Sequence, residues 1–282
     1  MIRFFTYSQF HGKRPPVGST QIRVNQLIKY WPEADLYKYG ENPDVLIFQK
    51  VYCTQDYKFP AEFENTTILD ICDPDWKDFA NVRETVEAVD AVTCPTEPMA
   101  KFLRQMTDKP VVVIPDRFDL EAIPEPKKHK GDIKKVVWFG YSHNSDPLEY
   151  AMPTLVRMDL ELTVISNQDP MVWRWASEQY KEKYTFVKYD EQTIYQELQK
   201  ADVCILPKGN RPEDRFKSNN KTIKAQLAGL PVATNSDELE ALITGQDRQK
   251  HIDEIYATIK EEYDVRKSVE QYKDLIKRLQ KD

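Results

Sequence analysis

A chain of 282 residues, 40% hydrophobic and 30% charged, has room for two ordinary α/β domains with their own cores and is not composed like a disordered or fibrous protein. Its net charge of −6 argues against a protein that coats nucleic acid non-specifically, although a local basic groove is compatible with it, because binding follows charge distribution. No apolar run reaches the roughly 20 residues of a membrane helix, and the first residues turn polar too soon for a signal peptide. Four cysteines (Cys53, Cys72, Cys94 and Cys204) lack zinc-ligand spacing. The expectation is a cytoplasmic globular protein with reduced, buried thiols.

In chain order, Ile2–Thr6 reads as the first strand. After a loop, Ser19 or Thr20 opens an amphipathic helix with Ile22, Val24, Leu27 and Ile28 on one side. Strands are predicted at 44–49, 67–71, 88–94 and 110–115, with helices over 78–86 and 97–106. Continuous apolar strands alternating with helices mark a parallel sheet covered on both faces. Residues 121–135 (EAIPEPKKHKGDIKK) are proline-rich and then basic, and read as an interdomain linker.

The alternation then restarts, with strands at 135–141, 160–166, 184–188, 203–206 and 231–234. Helices are predicted over 146–158, 171–180, 191–200 and 219–228, where Gly229 and Pro231 supply the stop and the turn. From about residue 247 the tail reads as one amphipathic helix broken near Asp264. This gives an α/β protein with an N-terminal Rossmann-like domain over 1–125, a C-terminal one over 126–260, and a closing helix over 261–282 that packs back on the first. Two such domains are expected to face one cleft, and ligands of open α/β sheets bind at the loops after strands.

Sites are therefore sought just after strands. Gly140, Tyr141, His143 and Asn144 follow the strand at 135–141, where a glycine admits close approach and a helix start favours a phosphate. The segment 211–224 (RPEDRFKSNNKTIK) gathers Arg211, Arg215, Lys217, Lys221 and Lys224, with Lys208 just before it, and only Glu213 and Asp214 offset them. Ser218, Asn219 and Asn220 form a cap-like start, which puts Lys221 in the first turn. A lysine there opposes the helix dipole at a cost of about 0.3–1 kcal/mol unless an anion is bound, so this conflict points to a diphosphate. The loop carrying Arg14, Gly18 and Ser19, with Arg23 close by, is a candidate for touching the acceptor or the donor phosphates. Asp73 and Asp75 suit either helix capping or a divalent metal, and Trp76 suits either a sugar face or a packing staple.

Residues 217–234 (KSNNKTIKAQLAGLPVAT) resemble the signature of retaining GT-B glycosyltransferases, especially glycosyltransferase family four. Residues 88–117 are similar to the stretch that ends that family's first domain, and 201–207 (ADVCILP) to a donor-domain strand. The resemblance implies transfer of a hexose or pentose, with retention, from a nucleotide-diphosphate sugar. Lys221, Arg215 and Glu213 would carry the catalysis. Gly140, Tyr141, His143, Asn144, Pro207, Lys217, Ser218, Asn219, Asn220 and Thr222 would bind the donor, and Gly18, Ser19, Arg14, Asp73 and Trp76 the acceptor. No cofactor or metal is expected, because cations and the helix start stabilise the departing diphosphate.

The chain departs from the family where two glutamates are usual. Phe216 and Lys224 stand there, with Glu213 or Asp214 as replacements for the first. The rival readings are a metal-dependent GT-A transferase using Asp73 and Asp75, and a non-catalytic sugar-nucleotide or glycan-binding protein. The acceptor is left among a glycan, a lipid-linked sugar, a protein, a small molecule and a base of phage DNA. The last would require a groove of Lys127, Lys128, Lys130, Lys134 and Lys135.

Overall fold

In the computed structural model, residues 1–14, 16–77, 81–244 and 248–281 are described. Pro15 of the first loop, the predicted helix start at 78–80 and the predicted tail start at 247 lie outside them. The chain forms two compact units, one of Met1–Leu120, Arg215–Ser218 and Tyr263–Asp282, the other of Glu121–Asp214 and Asn219–Glu262.

The first unit is built on a wholly parallel six-stranded sheet, β1 (Ile2–Thr6), β2 (Ala34–Leu36), β3 (Val45–Gln49), β4 (Thr66–Asp70), β5 (Ala91–Cys94) and β6 (Val111–Val113), in the order β2-β1-β3-β4-β5-β6. Every residue of β3 is buried, as its unbroken apolar run requires of a strand covered on both faces. Alternate residues go to opposite faces: Phe5, Leu46, Phe48 and Leu69 join one core, Phe4, Val45, Ile47 and Ile68 the other. The second core is completed by Val265, Val269, Tyr272 and Ile276 of the last helix, Val265–Leu279, at the spacing of one helical face. The chain runs from β1 out to β2 and returns to β3 on the other side, so the sheet reverses direction between β1 and β3.

Arg23, expected near a ligand, is instead buried within this unit. It sits in a π-helical turn, Gln21–Asn25, and donates to Asp70 at 2.6 and 2.8 Å, to Asp116 at 2.7 Å and to the Ile114 carbonyl at 3.0 Å. Thr93 and Tyr272 donate to the same Asp70, and Ser218 to Asp116. With four of its five N–H donors engaged inside the unit, the guanidinium is an internal tie.

The second unit carries a wholly parallel five-stranded sheet, β7 (Lys135–Phe139), β8 (Glu161–Ser166), β9 (Tyr184–Lys188), β10 (Val203–Ile205) and β11 (Val232–Ala233), in the order β11-β10-β7-β8-β9. Here the reversal falls between β7 and β10. The helix predicted over 146–158 is broken into a 3-10 turn, Asp146–Tyr150, and a short helix, Met152–Arg157, with a proline in the first turn of each. Residues 171–180 form 3-10 turns, Val172–Trp175 and Glu178–Lys183. The tail divides into Arg248–Glu262 and Val265–Leu279, and Asp264 caps the second through its contact with the Arg266 N–H at 2.9 Å.

The segment read as a linker is packed on the second unit rather than spanning a gap. Lys127 N–H donates to the Ala228 carbonyl at 3.0 Å and its ammonium lies 3.1 Å from Asp202. Gly229, at φ 85°, makes room for it: a Cβ there would lie 2.4 Å from the Lys127 nitrogen.

Candidate functional site

Loops that follow β7 and β10 meet at the reversal point of the second sheet, the position at which open α/β sheets receive ligands. Gly140 ends β7 at φ 154°, and a Cβ there would stand 3.2 Å from the Trp138 ring and 3.4 Å from Lys221 Nζ. The Lys221 ammonium also lies 5.5 Å from the centre of the Trp138 ring. Lys221 occupies the first turn of the helix Asn220–Leu227, which opens after the long loop from β10. Gly140 and Lys221, remote in sequence, are thus neighbours at the carboxyl ends of two adjacent strands. Next to Gly140, Tyr141 is 46% exposed and stacks on His143 at 5.5 Å. The Ser142–Asn144 turn is tied to the loop after β8 by the Ser142 N–H, which donates to Asn167 Oδ1. Pro207 follows β10 after Leu206.

The basic segment 211–224 does not form one patch. Arg211 pairs with Asp146 at 3.0 Å. Arg215 to Ser218 belong to the first unit: the Arg215 guanidinium lies over the Phe216 ring, Phe216 is buried in that unit's core, and Ser218 donates to Asp116 at 2.6 Å. Ser218, expected to cap the helix, is engaged elsewhere, and Asn219 holds the N-cap position ahead of Asn220 and Thr222. Glu213 and Asp214 stand in a 3-10 turn, Pro212–Phe216, where Asp214 accepts from the Arg211 N–H. Lys224, counted among the diphosphate cations, is buried with its ammonium 3.0 Å from Glu191. Of the six cations, Lys221 is the one found beside Gly140.

In the first unit the reversal point gathers Lys50 and Tyr7 beside the expected Asp73 and Asp75. Lys50 follows β3 at φ 55°, a conformation rare for a residue with a side chain. Its ammonium lies 2.6 Å from Asp73, 3.3 Å from Asp75 and 5.7 Å from the centre of the Tyr7 ring, which follows β1. Burial opposes the charge on Lys50, but Cys72, Asp73 and Asp75 outweigh it and raise its pKa. Burial lifts the Asp75 carboxyl above its ordinary value against Lys50 and Tyr52, whose hydroxyl donates to it at 2.6 Å. Asp73 keeps 48% of its side chain exposed. Both carboxylates of the expected metal pair therefore already share the Lys50 ammonium. Among the described residues no group of three or more His, Cys, Asp or Glu could hold a metal ion.

Gly18 and Ser19 begin the helical stretch 18–28, whose Thr20 ties it to Ser8 and Gln49, and Arg14 is exposed. Trp76 is committed to packing: it stacks on Phe102 at 4.6 Å and meets the Phe216 ring edge-on at 5.2 Å. The lysines of the supposed nucleic-acid groove are partly consumed, Lys127 by Asp202 and Lys128 by Asp253. Among the described residues no helix is long and apolar enough to cross a membrane.

No family model and no curated protein sequence matches the chain. Solved structures do. Anabaena Alr3699/HepE in complex with UDP is 13% identical over 98% of this chain and 99% of its own, with a TM-score of 0.66. The apo form of the lipopolysaccharide outer core galactosyltransferase WaaB is 10% identical over 98% of both chains, with a TM-score of 0.64. The DNA-modifying enzyme β-glucosyltransferase is 12% identical over 99% and 98%, with a TM-score of 0.59. At these identities the likeness shows the fold. The chain has the GT-B fold, two parallel-sheet α/β units with closing C-terminal helices.

Proposed function

We propose that the chain is a glycosyltransferase whose second unit binds a nucleotide-diphosphate sugar and whose first unit binds the accepting hydroxyl. The observation that carries this reading is Lys221 beside Gly140 at the β7/β10 reversal. Gly140 admits diphosphate oxygens close to the backbone, and the ammonium offsets the negative charge that a departing diphosphate develops. Asn219, Asn220 and Thr222 at the helix start, Tyr141, His143 and Asn144 after β7, and Pro207 after β10 are the remaining donor contacts in this reading. UDP in the structure of HepE, which shares the fold, supports a nucleotide ligand. In a retaining route the C1–O bond to the diphosphate breaks as the accepting hydroxyl bonds to C1 and gives its proton to the leaving diphosphate oxygen, so no separate base is needed and positioning and charge stabilisation are the protein's contribution.

On the first unit, Asp73 would accept a hydrogen bond from an acceptor hydroxyl, its orientation fixed by Lys50, with Tyr7 alongside and Arg14, Gly18 and Ser19 on the preceding loop. Arg215, Lys217 and Glu213 become secondary candidates, because the first two are held with the first unit. The test is release of nucleoside diphosphate from UDP-, GDP-, ADP- and TDP-glucose in excess EDTA. Turnover of at least one donor is expected, undiminished by the chelator. Tight binding without turnover would favour a non-catalytic sugar-nucleotide protein, and loss restored by Mn²⁺ would favour a metal-dependent route.

A further inference from the structure

A basic stretch that neither the donor nor the acceptor reading uses, residues 127–130 (KKHK), borders a cavity of about 240 Å³ in the second unit. His129, Lys130, Asp132, Ile133 and Leu242 line it, with Arg248 from the helix Arg248–Glu262. The cavity lies beside the amino end of β7, which begins at Lys135, whereas Gly140 follows the carboxyl end of that strand. The strand between them rises about 3.3 Å per residue, so the cavity is no part of the Gly140–Lys221 site.

Two of the lining side chains each carry a buried polar atom with no hydrogen-bond partner among the described residues, Arg248 Nη1 and His129 Nδ1. Arg248 is 8% exposed. Its Nη2 donates to the Gly131 carbonyl, while Nη1 stands 3.8 Å from Asp202, beyond hydrogen-bond reach. Asp202 is already claimed: it accepts from the Lys134 and Lys135 N–H groups at 3.0 Å and from Lys127 at 3.1 Å. A carbonyl can only accept, so His129 meets Gly229 through Nε2–H, and the neutral ring offers Nδ1 as a bare acceptor. Burial, aided by Arg248 and Lys127 and opposed by Gly229 and Asp202, favours that neutral ring. Lys130 and Asp132 are exposed, and Lys128 is paired with Asp253. A buried donor and a buried acceptor left unmade are both costly.

A group that meets both needs brings an anionic oxygen to Arg248 and an O–H to His129. Hydrogen phosphate, free or as a singly protonated monoester, carries the two on one phosphorus. Sulfate and carboxylate anions have no proton to give at neutral pH. A guanidinium fork also suits phosphate oxygens. The volume is below the roughly 300–1,000 Å³ of sites for drug-sized ligands, which suits a phosphate on a short stem rather than a nucleotide. We propose that the His129–Arg248 cavity is a binding site for a phosphate group, free or on a small monoester, separate from the donor site. It stands whether or not the second unit binds a sugar nucleotide.

The experiment is calorimetric titration of the full chain with sodium phosphate, glycerol 3-phosphate and sodium sulfate at about pH 6.5, for wild type, His129→Gln, Lys130→Ala and Lys221→Ala. Wild type should bind phosphate or the monoester about ten-fold or more tightly than sulfate, and the tighter of the two identifies the source. His129→Gln, whose amide can still donate to Gly229, should bind phosphate no better than sulfate. Lys130→Ala changes an exposed side chain and should weaken all three anions about two-fold or more. It locates the site if His129→Gln fails to fold. Lys221→Ala should leave the preference for phosphate as it is in wild type. Binding of none of the three anions by wild type overturns the proposal, as does sulfate bound as tightly as phosphate. So does a preference that His129→Gln keeps in full, or one that Lys221→Ala abolishes and Lys130→Ala does not touch. None of these results bears against the donor reading.

Discussion

Replacing Lys221 by alanine removes one ammonium from the β7/β10 reversal. Among the contacts on the stability side is the cation over the Trp138 ring at 5.5 Å, worth about 0.5–1 kcal/mol at a partly exposed position. Against this stands relief of about 0.3–1 kcal/mol from taking a cation out of a helix's first turn. The two nearly cancel, so the melting temperature should move by no more than about 4 °C. Catalysis has no such cancellation. Loss of one preorganised group facing the charge of a transition state costs about 2.7–4 kcal/mol, or 10²- to 10³-fold in kcat. The assay is nucleoside diphosphate release at saturating donor, with thermal unfolding of the same preparation. Turnover within about two-fold of wild type would refute the assignment. So would a fall in melting temperature large enough to account for the lost activity, since Lys221 would then be structural.

Three further outcomes follow from named contacts. Gly140→Val places carbon 3.2 Å from the Trp138 ring and 3.4 Å from the Lys221 ammonium. It should weaken donor binding about ten-fold or more by calorimetry, since it fills the approach to the backbone. Phe216→Ala empties a buried position in the core of the first unit, and should lower that unit's stability by about 3–5 kcal/mol in urea unfolding. His129 Nε2–H donates to the Gly229 carbonyl at 2.6 Å, and its Nδ1 has no hydrogen-bond partner among the described residues. Burial, aided by Arg248 and Lys127 and opposed by Gly229, lowers its pKa. The unfolded chain therefore takes up a proton that the folded one refuses, so stability is full above about pH 6.5 and declines as pH falls below it. Melting temperatures from pH 8 to 5 should show that decline in wild type and a shallower one in His129→Asn.

Most of the fold was legible because each central strand is a continuous apolar run; the strand predicted at 44–49 is built as Val45–Gln49. The short β2 was missed, since three residues amid charged neighbours carry no period. Proximity of Gly140 to Lys221 was approachable through a local conflict, a lysine in a helix's first turn. Lys50 and Tyr7 went unnoticed although each follows a strand, because strand order decides which loops meet, and that order is a non-local property. The run 211–224 misled by its charge density. Its informative residue was Phe216, an aromatic among cations, which marks the point where the chain is pinned into the first unit's core.

On the proposed function, the β7/β10 reversal holds the diphosphate of a sugar nucleotide. Thermal unfolding of wild type and Lys221→Ala with UDP-, GDP-, ADP- and TDP-glucose tests it directly. At a hundred times its dissociation constant the true donor should stabilise wild type by about 2.7 kcal/mol, and the same concentration should stabilise Lys221→Ala far less. Equal stabilisation of the two proteins, or none of wild type by any of the four, would contradict it.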